Sequence, residues 1–228
     1  MTRRIGQLLV GLFLYGFAIA MMIRATFGVA PWDVLTQGIA LHTGIAFGLI
    51  TNIVGALVLL LWIPIRQKPG IGTVANVLLI GPSVEVGLRV IPELTGLVPR
   101  ILVLAAALVL VAIATGLYIG ARFGPGPRDG LMTGIHGRLG WPIWAVRTGI
   151  EVTVLAAGWL LGGTAGIGTL AFALLIGPMV NVTLPLLRVP EPPRPHRNER
   201  IELARERAVP SPLEELRSVR VHRVTHKG

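Results

Sequence analysis

Phe27-Gly28-Val29-Ala30-Pro31-Trp32-Asp33 returns 96 residues later as Phe123-Gly124-Pro125-Gly126-Pro127-Arg128-Asp129. At that offset residues 27–86 align with residues 123–182 without a gap, with 22 identities. Shared hydrophobicity would match Leu, Val and Ile. It would not also match Gly28 with Gly124, Pro31 with Pro127, Asp33 with Asp129, and Gly81-Pro82 with Gly177-Pro178. The chain therefore contains an internal duplication, and every element has to be read twice.

Composition sets the solvent. Only 14% of the 228 residues are charged and 53% are hydrophobic, against about 25% charged in a soluble domain. Up to residue 188 there are five acids, Asp33, Glu85, Glu93, Asp129 and Glu151, against 12 Lys/Arg. The net charge of +10 does not point to nucleic acid, because the basic residues sit between apolar runs, the pattern that membrane insertion selects. No cysteine is present, which excludes thiolate metal sites and thiol catalysis.

Six apolar runs are long enough to cross a bilayer: residues 5–23, 47–65, 71–91, 101–120, 141–161 and 167–187. A signal peptide is the rival reading of the first, but the first repeat needs that run as the counterpart of residues 101–120. Residues 33–43 and 129–139 are too short to span. Each follows a Gly/Pro turn, and each is either an interfacial loop-helix or a re-entrant half-helix facing a cavity. Asp33 and Asp129 are expected to cap these helices. Gly81-Pro82 and Gly177-Pro178 predict a kink or break in the third and sixth runs. The expected fold is an all-α membrane helix bundle occupying residues 1–188, with repeat one near 5–92 and repeat two near 101–188. Residues 189–228 are expected to be a Pro/Arg-rich polar tail in which 198–207 can form a short charged helix.

Placing the N-terminus in the cytoplasm puts Arg3, Arg4, Arg66, Lys68, Arg122, Arg128, Arg138, Arg188 and the tail inside. Both termini are then cytoplasmic. Three spans per repeat is an odd number, so the second copy enters from the opposite side, and the repeats are inverted. The two motif loops then lie on opposite faces and are not expected to meet as one site.

Ionisable groups inside spans are costly and are functional candidates by default. Arg147 and Glu151 are four apart on one helix and can pair. Glu85 lies just past the first Gly-Pro, and its repeat partner is Asn181. The expected solute or ion pathway is Glu85, Arg147, Glu151 and Asn181 around the two helix breaks. Asn52 and Asn76 read as interhelical hydrogen-bonding groups. The two Gly-Ile-Gly-Thr helix starts at 70–73 and 166–169 could hold an anion or permit close packing. His42 and His136 lack a second ligand at metal spacing, so neither metal nor cofactor is expected. No nucleotide-binding, zincin or nucleophile-elbow motif occurs, so no enzyme is expected.

Residues 16–25 (GFAIAMMIRA), 27–35 (FGVAPWDVL), 69–74 (PGIGTV) and 117–134 (LYIGARFGPGPRDGLMTG) together resemble the bacterial YczE/YitT-type integral membrane proteins. The resemblance covers about residues 5–188 and implies a multi-span inner-membrane protein. The functional expectation is transporter-like movement of a small polar or anionic solute through a lipid bilayer. The alternative is a membrane accessory or scaffold protein acting through a partner protein or as a homo-oligomer.

Overall fold

A computed structural model describes residues 1–190. The expected tail and its helix at 198–207 lie outside the described residues. Among the described residues eight α-helices follow one another: α1 (Thr2–Ala25), α2 (Pro31–Thr43), α3 (Phe47–Ile65), α4 (Ile71–Val90), α5 (Leu97–Gly120), α6 (Pro127–Leu139), α7 (Ile143–Leu160) and α8 (Ile167–Leu187). Six of them, all but α2 and α6, are long and apolar enough to cross a membrane. At 13 residues each, α2 and α6 rise only about 20 Å. The matched short helices begin and end 96 residues apart, Pro31 with Pro127 and Thr43 with Leu139.

The bundle is organised on α1 and α5, which cross antiparallel with almost no space between them. Arg4 Nε donates to the Ala121 carbonyl at 3.0 Å and Gln7 Nε2 to the Leu117 carbonyl at 3.1 Å. Further along α1, a side chain at Gly11 would press into the backbone of Ala114 and Tyr118. α4 packs on α1 through Gly16 and Gly87, and α8 on α5 through Gly116 and Gly120. Small residues at each crossing suit an apolar solvent, where helices associate by close packing and backbone contact. Thr183 on α8 adds a bond from its hydroxyl to the Ala112 carbonyl, 2.7 Å.

The proline-containing helices are continuous. α4 and α8 run unbroken through Gly81-Pro82 and Gly177-Pro178, which corrects the expected breaks. In α4 polar side chains meet the backbone around the proline: Asn52 on α3 accepts the Gly81 N–H at 3.0 Å, and the Ser83 hydroxyl donates to the Leu79 carbonyl at 2.7 Å. A proline is tolerated in a membrane helix when a neighbour takes up such groups.

The matched halves differ in one respect. α3 lies along α4, whereas α7 is not packed against α8. The α3–α4 seam is built on Gly48, Asn52 and Gly55 facing Val77, Gly81 and Glu85. The corresponding positions on α7 and α8 are Trp144, Thr148 and Glu151, and Ala173, Gly177 and Asn181. A side chain placed on Gly177 would meet nothing within 4 Å.

Candidate functional site: two half-helix ends at a polar cavity

Each motif loop docks on the other repeat. The Phe27 carbonyl accepts the Gly168 N–H at 2.7 Å, and the Phe123 carbonyl accepts the Gly72 N–H at 2.9 Å. The Thr73 hydroxyl donates to the Pro125 carbonyl at 2.8 Å. Gly28 and Gly124 hold φ of 106° and 118°, a backbone region that residues with a Cβ rarely enter. A Cβ on Gly28 would also lie 2.6 Å from the Gly166 nitrogen. The Gly-Ile-Gly-Thr starts are therefore docking platforms for the loops, and their second-glycine N–H groups are taken by protein carbonyls rather than left for an anion. Gly70→Ala is expected to destabilise the fold by about 1–3 kcal/mol, since the added carbon overlaps the Phe123 carbonyl. Thermal unfolding in detergent checks this. Gly6→Ala, whose added carbon meets nothing within 4 Å, is expected to unfold as the parent does.

From these loops α2 and α6 run back outward. α2 rises alongside α7, Val34 and Leu35 against Gly158 and Gly38 against Leu161. α6 rises alongside α3, Gly130 against Trp62 and Gly134 against Ile65. The start of each short helix is buried and its end exposed: Pro31, Trp32 and Asp33 against Thr43, and Pro127 against Leu139. This is the half-helix geometry of the two sequence alternatives, with the N-terminal ends in the interior.

Those two ends meet. Arg128 Nη2 stands 3.2 Å from Asp33 Oδ1, and the guanidinium lies 5.2 Å from the centre of the Trp32 ring. The expectation that the two motif loops stay apart is therefore wrong. Each half-helix is long enough to carry its start into the bundle from its own side. The capping expectation for the aspartates is wrong too. The helices begin at Pro31 and Pro127, with Ala30 and Gly126 as N-caps, so Asp33 and Asp129 stand in the third helical position. Proline at the first position needs no N–H partner and pre-sets φ. The aspartates place negative charge at the positive helix ends, Asp33 pairing with Arg128 and Asp129 accepting the Tyr118 hydroxyl at 2.7 Å. On the α3 side, Trp62 Nε1 donates to the Pro127 carbonyl at 3.0 Å and its ring covers Gly130.

Beside this meeting point is a cavity lined by Tyr15, Thr51, Asn76, Tyr118, Arg128 and Asp129, with Gly55, Val77 and Ile80 as its apolar wall. Water-sized spheres have ≈ 60 Å³ of room there, space for a few waters or one small solute. Tyr15 and Tyr118 close one side edge to face, with ring centres 5.9 Å apart.

The four pathway residues expected from the sequence do not line this cavity. Glu85 accepts the Gly48 N–H at 2.8 Å and so serves the first turn of α3. Asn181 is exposed on α8. Arg147 and Glu151 form the expected pair at 2.9 Å. At the 96-residue offset they hold the places of Thr51 and Gly55, which do line the cavity. The sequence marks Asn76 only as a packing group and gives Tyr15, Tyr118 and Thr51 no mark. A usable signal for the site was Arg128 itself. A cation in the first turn of a half-helix faces like charge from the helix end, so it needs a carboxylate nearby.

Residues 2–185 match the family of unknown function DUF6198. The chain belongs to that family. A protein of Haemophilus influenzae named only as uncharacterized is 34% identical over 192 residues, covering 84% of this chain and 88% of its own length. The uncharacterized membrane protein YczE of Bacillus subtilis is 34% identical over 177 residues, 77% of this chain and 82% of that protein. A second Bacillus subtilis protein, YyaS, is 24% identical over 182 residues. No solved structure matches the chain. With six apolar helices and a membrane-protein relative, this DUF6198 chain is a multi-pass membrane protein of the YczE type.

Proposed function

We propose that the protein is a carrier of a small polar solute, built from two inverted three-span repeats, with its binding site at the cavity between the half-helix ends. The observation that carries this reading is the meeting of two half-helix N-termini, with three charged side chains, inside an otherwise apolar bundle. Charge in that position is costly and needs a purpose. The inversion is supported by the antiparallel crossing of the matched helices α1 and α5 and by half-helices that run outward beside different repeats. Broken or short helices at matched points of two repeats are the usual setting of a transporter site. The pathway residues from the sequence enter this reading as gate residues. Glu85 belongs to the closed α3–α4 seam, and Arg147, Glu151 and Asn181 border the open α7–α8 cleft.

With the N-terminus in the cytoplasm, as the basic loops suggest, the closed seam lies on the outer side and the open cleft on the inner side of a bacterial inner membrane. Alternating access would then close one seam as the other opens. The direct test is solute flux in proteoliposomes, screened across amino acids, anions and cations. Asp129→Asn is expected to remove flux while the protein still inserts; full flux in that variant would count against the cavity. Orientation has its own test. Cysteines at Thr43 and Gly137, near the outer ends of the two half-helices, are expected to react with impermeant reagent from opposite sides. Labelling of both from one side would sink the inversion.

A further inference from the structure

We propose that the cavity recognises a small zwitterion of the α-amino acid type, its carboxylate held by Arg128 and its ammonium group by Asp129. This deepens the reading of the cavity as the solute site and rests on it. The groups are complementary to such a ligand: Arg128 bonds Asp33 through Nη2 and has further guanidinium donors for a second anionic group. Arg128 and Asp129 both line the space, and Asp33 stands behind the arginine at 3.2 Å. A lone anion would meet one cation already engaged by Asp33 and would face the Asp129 carboxylate. A lone cation would meet Asp129 but face the guanidinium. A ligand with both charges satisfies both groups, since Arg128 and Asp129 line one small space. Charge-assisted bonds of this kind are strong where water is scarce.

The remaining lining fits the same ligand. Tyr118 donates to Asp129 Oδ2 and leaves the other carboxylate oxygen for an ammonium. Asn76 and the Tyr15 hydroxyl supply further polar partners, and Val77, Ile80 and Gly55 leave an apolar wall for a short side chain. The ≈ 60 Å³ of room limits that side chain to the size of a hydrogen or a methyl group. Glycine and alanine are the natural probes.

The test is equilibrium binding to the purified full-length chain in detergent, followed by calorimetry and by tryptophan fluorescence, since Trp32 stands against Arg128. Alanine is compared with its two halves, acetate and methylamine. Saturable binding of alanine is expected, with no binding of acetate or methylamine at the same concentration. Asp129→Asn, which keeps an acceptor for Tyr118, is expected to weaken alanine binding about tenfold or more. Acetate binding as well as alanine, and surviving Asp129→Asn, would make this an anion site and overturn the proposal. Methylamine binding as well as alanine would make it a cation site, with the same consequence, and so would the absence of alanine binding. The comparison of three ligands on the unaltered chain is decisive even where a variant fails to fold. Alanine binding without uptake into proteoliposomes would keep the site and remove the carrier. Uptake of another solute without alanine binding would keep the carrier and remove the zwitterion.

Discussion

Arg128→Gln is expected to be among the most damaging single substitutions in the interior, lowering stability by about 3–5 kcal/mol, the cost of stranding one member of a buried ion pair. The Asp33 side chain is 2% exposed, and Arg128 is its ion-pair partner among the described residues. Without the arginine, the carboxylate keeps only the positive end of α2, a compensation of about 0.3–1 kcal/mol in ordinary settings. The stacking of the guanidinium on Trp32 is lost as well. The reverse change should cost less. In Asp33→Asn the arginine, 22% exposed, borders the cavity together with Asp129 and can draw on that second carboxylate. The order of the two variants is therefore part of the prediction, and so is their combination. Asp33→Asn with Arg128→Gln removes both charges, and its loss should be smaller than the sum of the single losses. Denaturant unfolding in detergent micelles measures all three. Strict additivity, or a harmless Arg128→Gln, would mean that the pair is not an interacting unit.

How much of this was legible beforehand depends on the range of the interaction. The six spans and the repeat were readable because apolar run length and a 96-residue offset are properties of the sequence itself. The short helices at 31–43 and 127–139 were located but not oriented, because direction in a bundle is set by partners. α2 follows α7 and α6 follows α3, each from the other repeat. The docking of Phe27 on Gly168 and of Phe123 on Gly72 was hidden for the same reason. A Gly-Ile-Gly-Thr helix start looks the same whether it holds an anion or a neighbouring loop. In α4 the proline reading failed where polar side chains meet the backbone at the proline, Asn52 at Gly81 and Ser83 at Leu79; α8 runs through Pro178 although a side chain on Gly177 would meet nothing within 4 Å. Glu85 was noticed for its charge, yet its partner is a backbone N–H on α3, a role that no charge count discloses. The difference between the two seams could have been read. Gly48 and Gly55 in one repeat stand where Trp144 and Glu151 stand in the other, and two glycines allow an approach that a tryptophan and a glutamate do not.

That difference carries the second large effect. The chain has no cysteine, so an introduced pair reports without background. A Cβ built on Gly55 lies 3.8 Å from the Val77 Cβ, close to the ~3.8 Å mean of disulfides. Gly55→Cys with Val77→Cys is therefore expected to oxidise readily and to pin α3 on α4. If the carrier works by exchanging a closed α3–α4 seam for a closed α7–α8 seam, the oxidised protein should lose essentially all flux and regain it on reduction. The matched pair, Glu151→Cys with Ala173→Cys, lies across the open cleft and should oxidise only as α7 swings onto α8. Its cross-linking should therefore be slow in the free protein and should stop once residues 55 and 77 are joined. Mutual exclusion is the discriminating result, because a static bundle has no reason to couple two seams built from different helices. Both bonds forming in one molecule, or flux continuing with residues 55 and 77 fully joined, would rule out the exchange of seams. It would leave the polar cavity as a binding site within a fixed bundle.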